Sequence, residues 1–450
     1  MTGCPSRDIS SLDIHPAGEI LKDVPLSTDI DILFMIDNSS STTDKQTLFA
    51  ANFPRFIQAL DAFPNGRPNV HIGVVSSTVD IGVGGFDGCP HPSTNDDGIM
   101  QSMARVPGCT PPTGRYIVDV KDPSGGRMTN YSGTLASTFA CIAQLGDLGC
   151  GFEAQLEAVK RALDGSHPEN AGFLRPSAFL AVVILTDEDD CSVRDPAIFS
   201  LPEQQVGALD FRCQPMFSYT CDQPISPSGP GTYTNCFART DSYLEDPNSF
   251  TQFLIDVKGG LSRVVVALIG GPPTKDIMTG QLVLPNITQP LALLPSCTTT
   301  IGGRTAVGRP GIRLNRFLTP FGGHGLFRTV CQSDYSQALA DIGELLFTAV
   351  APCLEGEVNT TDVEPSEPGL QLNCSVTDVL NVATPQQTET VIPRCPMTGP
   401  TTPSPSGPRP CWWVQSDPAS CPTPTKLALR VERTSAPAPN TTERVRCIGL

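Results

Sequence analysis

Residues 30–41 read Ile30-Asp31-Ile32-Leu33-Phe34-Met35-Ile36-Asp37-Asn38-Ser39-Ser40-Ser41, and this stretch decides the fold. Six of the first seven residues are apolar, without the strict alternation of a half-exposed strand. That pattern belongs to a parallel strand buried on both faces. The run stops at a carboxylate followed by hydroxyls. A helical pattern comes next: Leu48, Phe49, Phe53, Phe56, Ile57 and Leu60 recur at three- and four-residue spacing. Pro54 lies inside this pattern and is expected to kink the helix or mark its start.

The same alternation repeats outward along the chain. Strands are expected at 70–75, 116–120, 178–186, 263–269 and 326–330, and helices at 132–145, 152–163 and 335–350. This predicts an α/β fold, a doubly wound and mainly parallel sheet, over residues 29–352. Two Cys-bearing stretches, 79–114 and 195–250, read as long disulfide-braced insertions, and 272–323 reads as loop-rich. Residues 1–28 read as an N-terminal tether. After Pro352 the composition changes. Residues 353–450 are rich in Cys and Pro, and read as a small all-β module. In it, 426–433 alternates as a strand and is expected to pair with 443–447. Trp412 and Trp413, the only tryptophans, are candidate anchors of its core.

Composition limits the function. The chain has 450 residues, 39% of them hydrophobic, a formal charge of −16 and a pI near 4.7. An acidic surface argues against nucleic acid as a partner. The longest apolar stretch, Ala178–Leu185, is too short to span a bilayer. Seventeen cysteines without a Cys-x-x-Cys pair point to disulfides in an oxidising compartment rather than to metal thiolates. Seventeen is odd, and Thr2-Gly3-Cys4 offers a reason. It resembles the end of a bacterial lipobox, in which the cysteine is lipidated, with the signal segment upstream. Cys4 would then be the membrane anchor. Ten cysteines (Cys89 to Cys331) fall to the α/β part and six (Cys353 to Cys447) to the C-terminal module.

The chemistry concentrates where strands end. Asp37, Ser39 and Ser41 alternate at the carboxyl end of the first strand, where an open α/β sheet binds its ligands. One carboxylate and two hydroxyls are hard oxygen donors of low total charge, which suits Mg²⁺ or Mn²⁺. The strand ending in Thr186-Asp187 supplies a second carboxylate on the same edge. A third loop, Gly149-Cys150-Gly151-Phe152-Glu153, leads into a helix.

These three loops, in this chain order, resemble the von Willebrand factor A domain with its metal-ion-dependent adhesion site. The resemblance covers about residues 29–350. Asp37, Ser39 and Ser41 match the family's first loop, and Asp187 matches its third. The second loop departs from the usual Gly-x-Thr; Glu153 is the candidate replacement, with Thr134 behind it. The resemblance implies binding rather than turnover. Mg²⁺ held by these residues keeps one position open for an Asp or Glu of a protein ligand. More specifically, the chain resembles bacterial surface lipoproteins, placing it on the cell envelope as an outer-membrane lipoprotein or a secreted protein.

Other readings stand beside this one. Glu188, Asp189 and Asp190 form either a second cation site, for Ca²⁺, or a solvated acidic loop, the latter being favoured. Cys150 and Cys191 flank expected metal ligands, and a disulfide between them would clamp two metal loops. In a structural envelope component the metal would only stabilise the fold. A metal-dependent phosphatase-like hydrolase would need an acid two residues after Asp37, where Ser39 stands. A serine-hydrolase elbow is absent from the sequence.

Overall fold

The computed structural model describes residues 19–25, 29–63, 66–81, 96–284, 287–354, 357–381, 386–418, 421, 423–435, 437–438 and 441–449. They form two compact units, Ser27–Val350 and Met1–Leu26 with Ala351–Leu450. Cys4 and Cys89 lie outside the described residues.

The larger unit is a mixed α/β structure. Its central sheet has seven strands: β1 (Ile30–Ile36), β2 (Val70–Ser76), β3 (Ile117–Lys121), β4 (Arg127–Thr129), β5 (Phe179–Leu185), β6 (Val264–Gly270) and β7 (Gly325–Thr329). The order is β7-β6-β5-β1-β2-β3-β4. The first five of these run parallel, while β3 and β4 add an antiparallel edge. At the centre of the register Phe34 lies beside Val74 on one side and Val183 on the other.

Alternate residues of β1 feed two cores. Ile32, Phe34 and Ile36 pack with α1 (Thr43–Asp61), α2 (Leu135–Ala143) and α6 (Ser336–Val350). Leu33 and Met35 pack with α3 (Gln155–Leu163), α4 (Pro247–Lys258) and α5 (Ile312–Leu318). Helices therefore cover both faces, as the almost continuous apolar run of β1 requires. Phe34 meets the rings of Phe49, Phe53, Phe56 and Phe139 at centroid distances of 4.8–5.8 Å. Burying such a side chain contributes about 1.5–3 kcal/mol. This explains Pro54, which lies inside an α1 that runs on unbroken. The lost backbone bond is outweighed by the apolar face on either side of it.

The stretch 272–323 departs from the expected loop. It holds strands Ile277–Leu284, Ile287–Leu293, Cys297–Ile301 and Arg304–Gly308, and helix α5. The Cys297–Cys331 disulfide pins the third of these strands to the chain just after β7. Short strands with Gly, Pro and Thr between them carry too weak a periodicity to stand out in sequence. Among the described residues no helix is long and apolar enough to cross a membrane.

In the smaller unit every named element of residues 353–450 is a strand. The expected pairing of 426–433 with 443–447 is not formed. Leu427–Glu432 pairs with Cys411–Ser416, and Thr441–Ile448 pairs with Cys374–Leu380. Disulfides explain the choice: Cys374 lies opposite Cys447 in register and is bonded to it. Residues 19–25, part of the stretch read as a tether, form a strand along the other side of Thr441–Ile448. Trp412 is buried with Val376, Val414 and Leu429, and the Arg394 guanidinium lies 4.9 Å from its ring centre. All six cysteines of the module are bonded within it: Cys353–Cys421, Cys374–Cys447 and Cys395–Cys411.

Candidate metal centre

From β1 the chain steps to β2 on one side, and later returns to β5 on the other. The crevice outside the carboxyl ends of β1 and β5 is therefore the switch point of the sheet, where ligands bind in open α/β folds. Asp37 leaves β1 here, with its N–H bonded to the Leu185 carbonyl at 3.0 Å. Thr186 and Asp187 leave β5, and Ser77 and Thr78 leave β2.

The structure brings Asp37, Ser39, Ser41 and Asp187 together. The Ser41 hydroxyl donates to Asp187 Oδ1 at 3.0 Å and lies 3.4 Å from the Ser39 hydroxyl. Asp37 accepts from the Ser39 N–H at 2.8 Å, the Thr186 hydroxyl at 2.7 Å and the Ser77 hydroxyl at 3.4 Å. Asp37 is 1% exposed and Asp187 2%. Burial first, and then the neighbouring Asp187 charge, push the Asp37 carboxyl up to about 6. Lys45, on the first turn of α1, places its ammonium 2.9 Å from Asp187 Oδ2 and 2.8 Å from the Ser41 carbonyl. Burial alone would lower this lysine, but Asp187 and Asp44 outweigh it and hold it above the usual value.

The surrounding loops are laced to one another. Gln46 donates to the Asp37 and Gly146 carbonyls at 2.7 and 2.8 Å, and accepts from the Gly146 N–H. Thr78 donates to Asn38 Oδ1 and accepts from the Cys150 N–H. Gly149 bonds the Asn38 carbonyl through its N–H, and a Cβ there would fall 2.6 Å from that same oxygen. Only glycine permits the approach.

Glu153 lies just ahead of Ala154, the N-cap of α3, rather than within the first helical turn. It is 1% exposed, and its Oε2 is buried without a hydrogen-bond partner. Burial, then Glu188 and Asp37, raise its carboxyl well above the usual range. Thr134 serves otherwise. It is exposed and N-caps α2 in a reciprocal pair with Ser137. An N-cap hydroxyl already satisfies a free helix amide, which fixes it there.

The acidic run after Asp187 is not a solvated loop. Asp189 and Asp190 are both 0% exposed. Asp189 accepts from the Tyr219 hydroxyl and from the N–H groups of Arg313 and Leu314 at the start of α5. Asp190 pairs with the fully buried Arg313 at 3.0 Å and accepts from the Leu156 N–H of α3. Glu188 turns to Arg309 at 3.1 Å; burial raises it to about 8 although Arg309 opposes this. The three side chains go to three sets of donors rather than to one cation. Asp189 and Asp190 secure helix N-termini, whose free amides favour carboxylates. Among the described residues no group of three or more His, Cys, Asp or Glu is disposed to hold a metal ion.

The expected Cys150–Cys191 bridge is not formed. Cys191 is bonded to Cys213, tying the β5 loop to the 195–250 insertion, and Cys150 is itself disulfide-bonded. That insertion supports the site from behind: Gln214 donates to the Asp189 carbonyl and Asp210 pairs with Arg309. A groove of about 650 Å³ opens beside Ser41 and Lys45, its lining including Asp147, Ile301, Arg304 and Val307. Its wall from the Cys297–Gly308 hairpin was not legible in the sequence. Ser77 and Thr78 were also missed, although a Ser-Ser-Thr run following a buried strand on the same edge was a usable signal. Lys45 carried no signal at all.

No family model and no curated protein matches the chain. Among solved structures it matches the pilus adhesin SpaC from Lactobacillus rhamnosus GG in its open conformation. There the TM-score is 0.30 at 10% identity, over 96% of this chain and 41% of that one. It also matches the pilus adhesin RrgA from Streptococcus pneumoniae, with a TM-score of 0.32 at 9% identity, over 96% of this chain and 57% of that one. The chain thus spans about half the length of these adhesins. At such TM-scores the likeness assigns neither a fold family nor an activity.

Proposed function

We propose that this chain is a metal-dependent protein-binding module of the bacterial cell envelope, with a domain of the von Willebrand factor A type. Asp37, Ser39, Ser41 and Asp187 hold Mg²⁺ or Mn²⁺, and an Asp or Glu of a partner protein completes the coordination. The carrying observation is the convergence of those four side chains at the sheet's switch point. The donor set supports the reading: two buried carboxylates and two hydroxyls are hard ligands that leave a divalent ion electrophilic. Glu153, whose Oε2 lacks a partner, is the candidate for a further ligand, direct or through water. The groove beside Ser41 gives a partner's side chain a way in. Intact disulfides fit an oxidising, extracytoplasmic setting. Anchoring through a lipidated Cys4 belongs to the same proposal.

The test is calorimetric titration of Mg²⁺ into the wild type and Ser41→Ala, with thermal unfolding in EDTA. The wild type is expected to bind Mg²⁺, Ser41→Ala to bind at least about tenfold more weakly, and both to stay folded in EDTA. No Mg²⁺ uptake by the wild type would sink the reading. Unfolding of the wild type in EDTA would favour a structural metal instead.

A further inference from the structure

The metal-binding reading leaves one charge unexplained. Lys45 stands on the first turn of α1, and its side chain is 2% exposed. A helix N-terminus repels a cation, and burial of an ammonium is costly without a partner. The partner is Asp187. Its Oδ2 lies 2.9 Å from the Lys45 ammonium and its Oδ1 takes the Ser41 hydroxyl at 3.0 Å. Oδ1 is hydrogen-bonded, and Oδ2 is held by the ion pair alone. The ammonium's other contacts are the Ser41 carbonyl at 2.8 Å and Asp44 at 3.5 Å. Among the described residues Asp37 receives neutral donors, including a backbone N–H and two hydroxyls.

We propose, building on the metal-binding reading above, that Lys45 is a resident cation of the site. It holds Asp187 in the metal-free protein and lowers the affinity for a divalent ion by competing for that carboxylate. The charge balance gives this a consequence. Asp37, Asp187, Asp44 and Lys45 together carry two formal negative charges. A divalent ion brings that sum to zero. Without Lys45 the loaded site would keep one negative charge, and an acidic ligand would be repelled on a protein of formal charge −16. Lys45 thus exchanges metal affinity for acceptance of an anion. Charges this close, and shielded from water, interact strongly enough to shift affinity by an order of magnitude.

The experiment titrates Mg²⁺ calorimetrically into the full chain as wild type, Lys45→Met, Lys45→Gln and Lys45→Arg. Both neutral variants are expected to bind Mg²⁺ about tenfold more tightly or better, and Lys45→Arg to stay close to the wild type. The glutamine variant keeps a donor for the Ser41 carbonyl, so it serves where the methionine variant does not fold. Neutral variants that bind Mg²⁺ no more tightly than the wild type would overturn the role of Lys45 and leave the metal reading standing. Absence of Mg²⁺ binding in the wild type and every variant would overturn both.

Discussion

Asp31 and Asp37 lie toward the two ends of β1, and both are buried, at 0% and 1% exposure. Their surroundings differ. Asp31, near the amino end, takes two bonds from Arg175, through the backbone N–H at 2.6 Å and the guanidinium Nε at 2.7 Å. Arg175 also donates to the Ile30 and Asn69 carbonyls, and Lys258 bonds the Arg175 carbonyl. Asp37, at the carboxyl end, has no guanidinium or ammonium bonded to it among the described residues, and its charged neighbour Asp187 repels it. One end of the strand is a closed ion pair, and the other is a buried carboxylate held by neutral donors. Identical residues on one strand are thus placed in opposite electrostatic surroundings. The amino end of a parallel sheet is sealed, while the loops at the carboxyl end are free to carry function.

The largest effect belongs to the sealed end. Arg175→Met strands the Asp31 charge in the interior and is expected to cost about 3–5 kcal/mol. Urea unfolding measures this, and saturating Mg²⁺ is expected not to restore the loss. Rescue by Mg²⁺ would mean that the two ends are not separate. The next effect is on pH. Burial drives Lys258 down to about 7, with Asp31 only partly opposing, against 10.5 for a free lysine. Between those values the unfolded chain holds a proton that the folded chain lacks. Stability is therefore expected to rise from about pH 7 to about pH 10, by a few kcal/mol at most. Below pH 7 the full penalty remains. Urea midpoints for the wild type and Lys258→Met across that range isolate the effect; a parallel pair of curves would refute it. The smallest effect on stability is at the open end. Asp37→Asn in metal-free buffer is expected to change stability by less than about 1 kcal/mol, because no buried ion pair is broken. Mg²⁺ is expected to raise the melting temperature of the wild type and not that of this variant. A loss as large as that of Arg175→Met would place Asp37 among the supports.

Much of this arrangement was legible beforehand. The apolar runs of β1, β5 and β6 announce strands buried on both faces, and helices follow from three- and four-residue spacing. Asp37, Ser39 and Ser41 were visible because chemistry and spacing coincide within five residues. Asp189 and Asp190 misled for the opposite reason. A dense acidic run has the composition of a solvated loop, and its burial depends on Arg313, Tyr219 and the start of α5, all far along the chain. Cys191 paired with Cys213 rather than Cys150, because thiol pairing follows spatial approach, not proximity to a motif.

The sequence by itself determined the element types, the carboxyl-end edge and the first-loop donors, because these rest on local periodicity and short spacing. Only the tertiary structure decided which carboxylates stay unpaired, which cysteines bond and which strands close the C-terminal module. It also brought Lys45 to Asp187, across 142 positions of chain. Those outcomes depend on charges and backbones meeting across long separations, which no local pattern encodes.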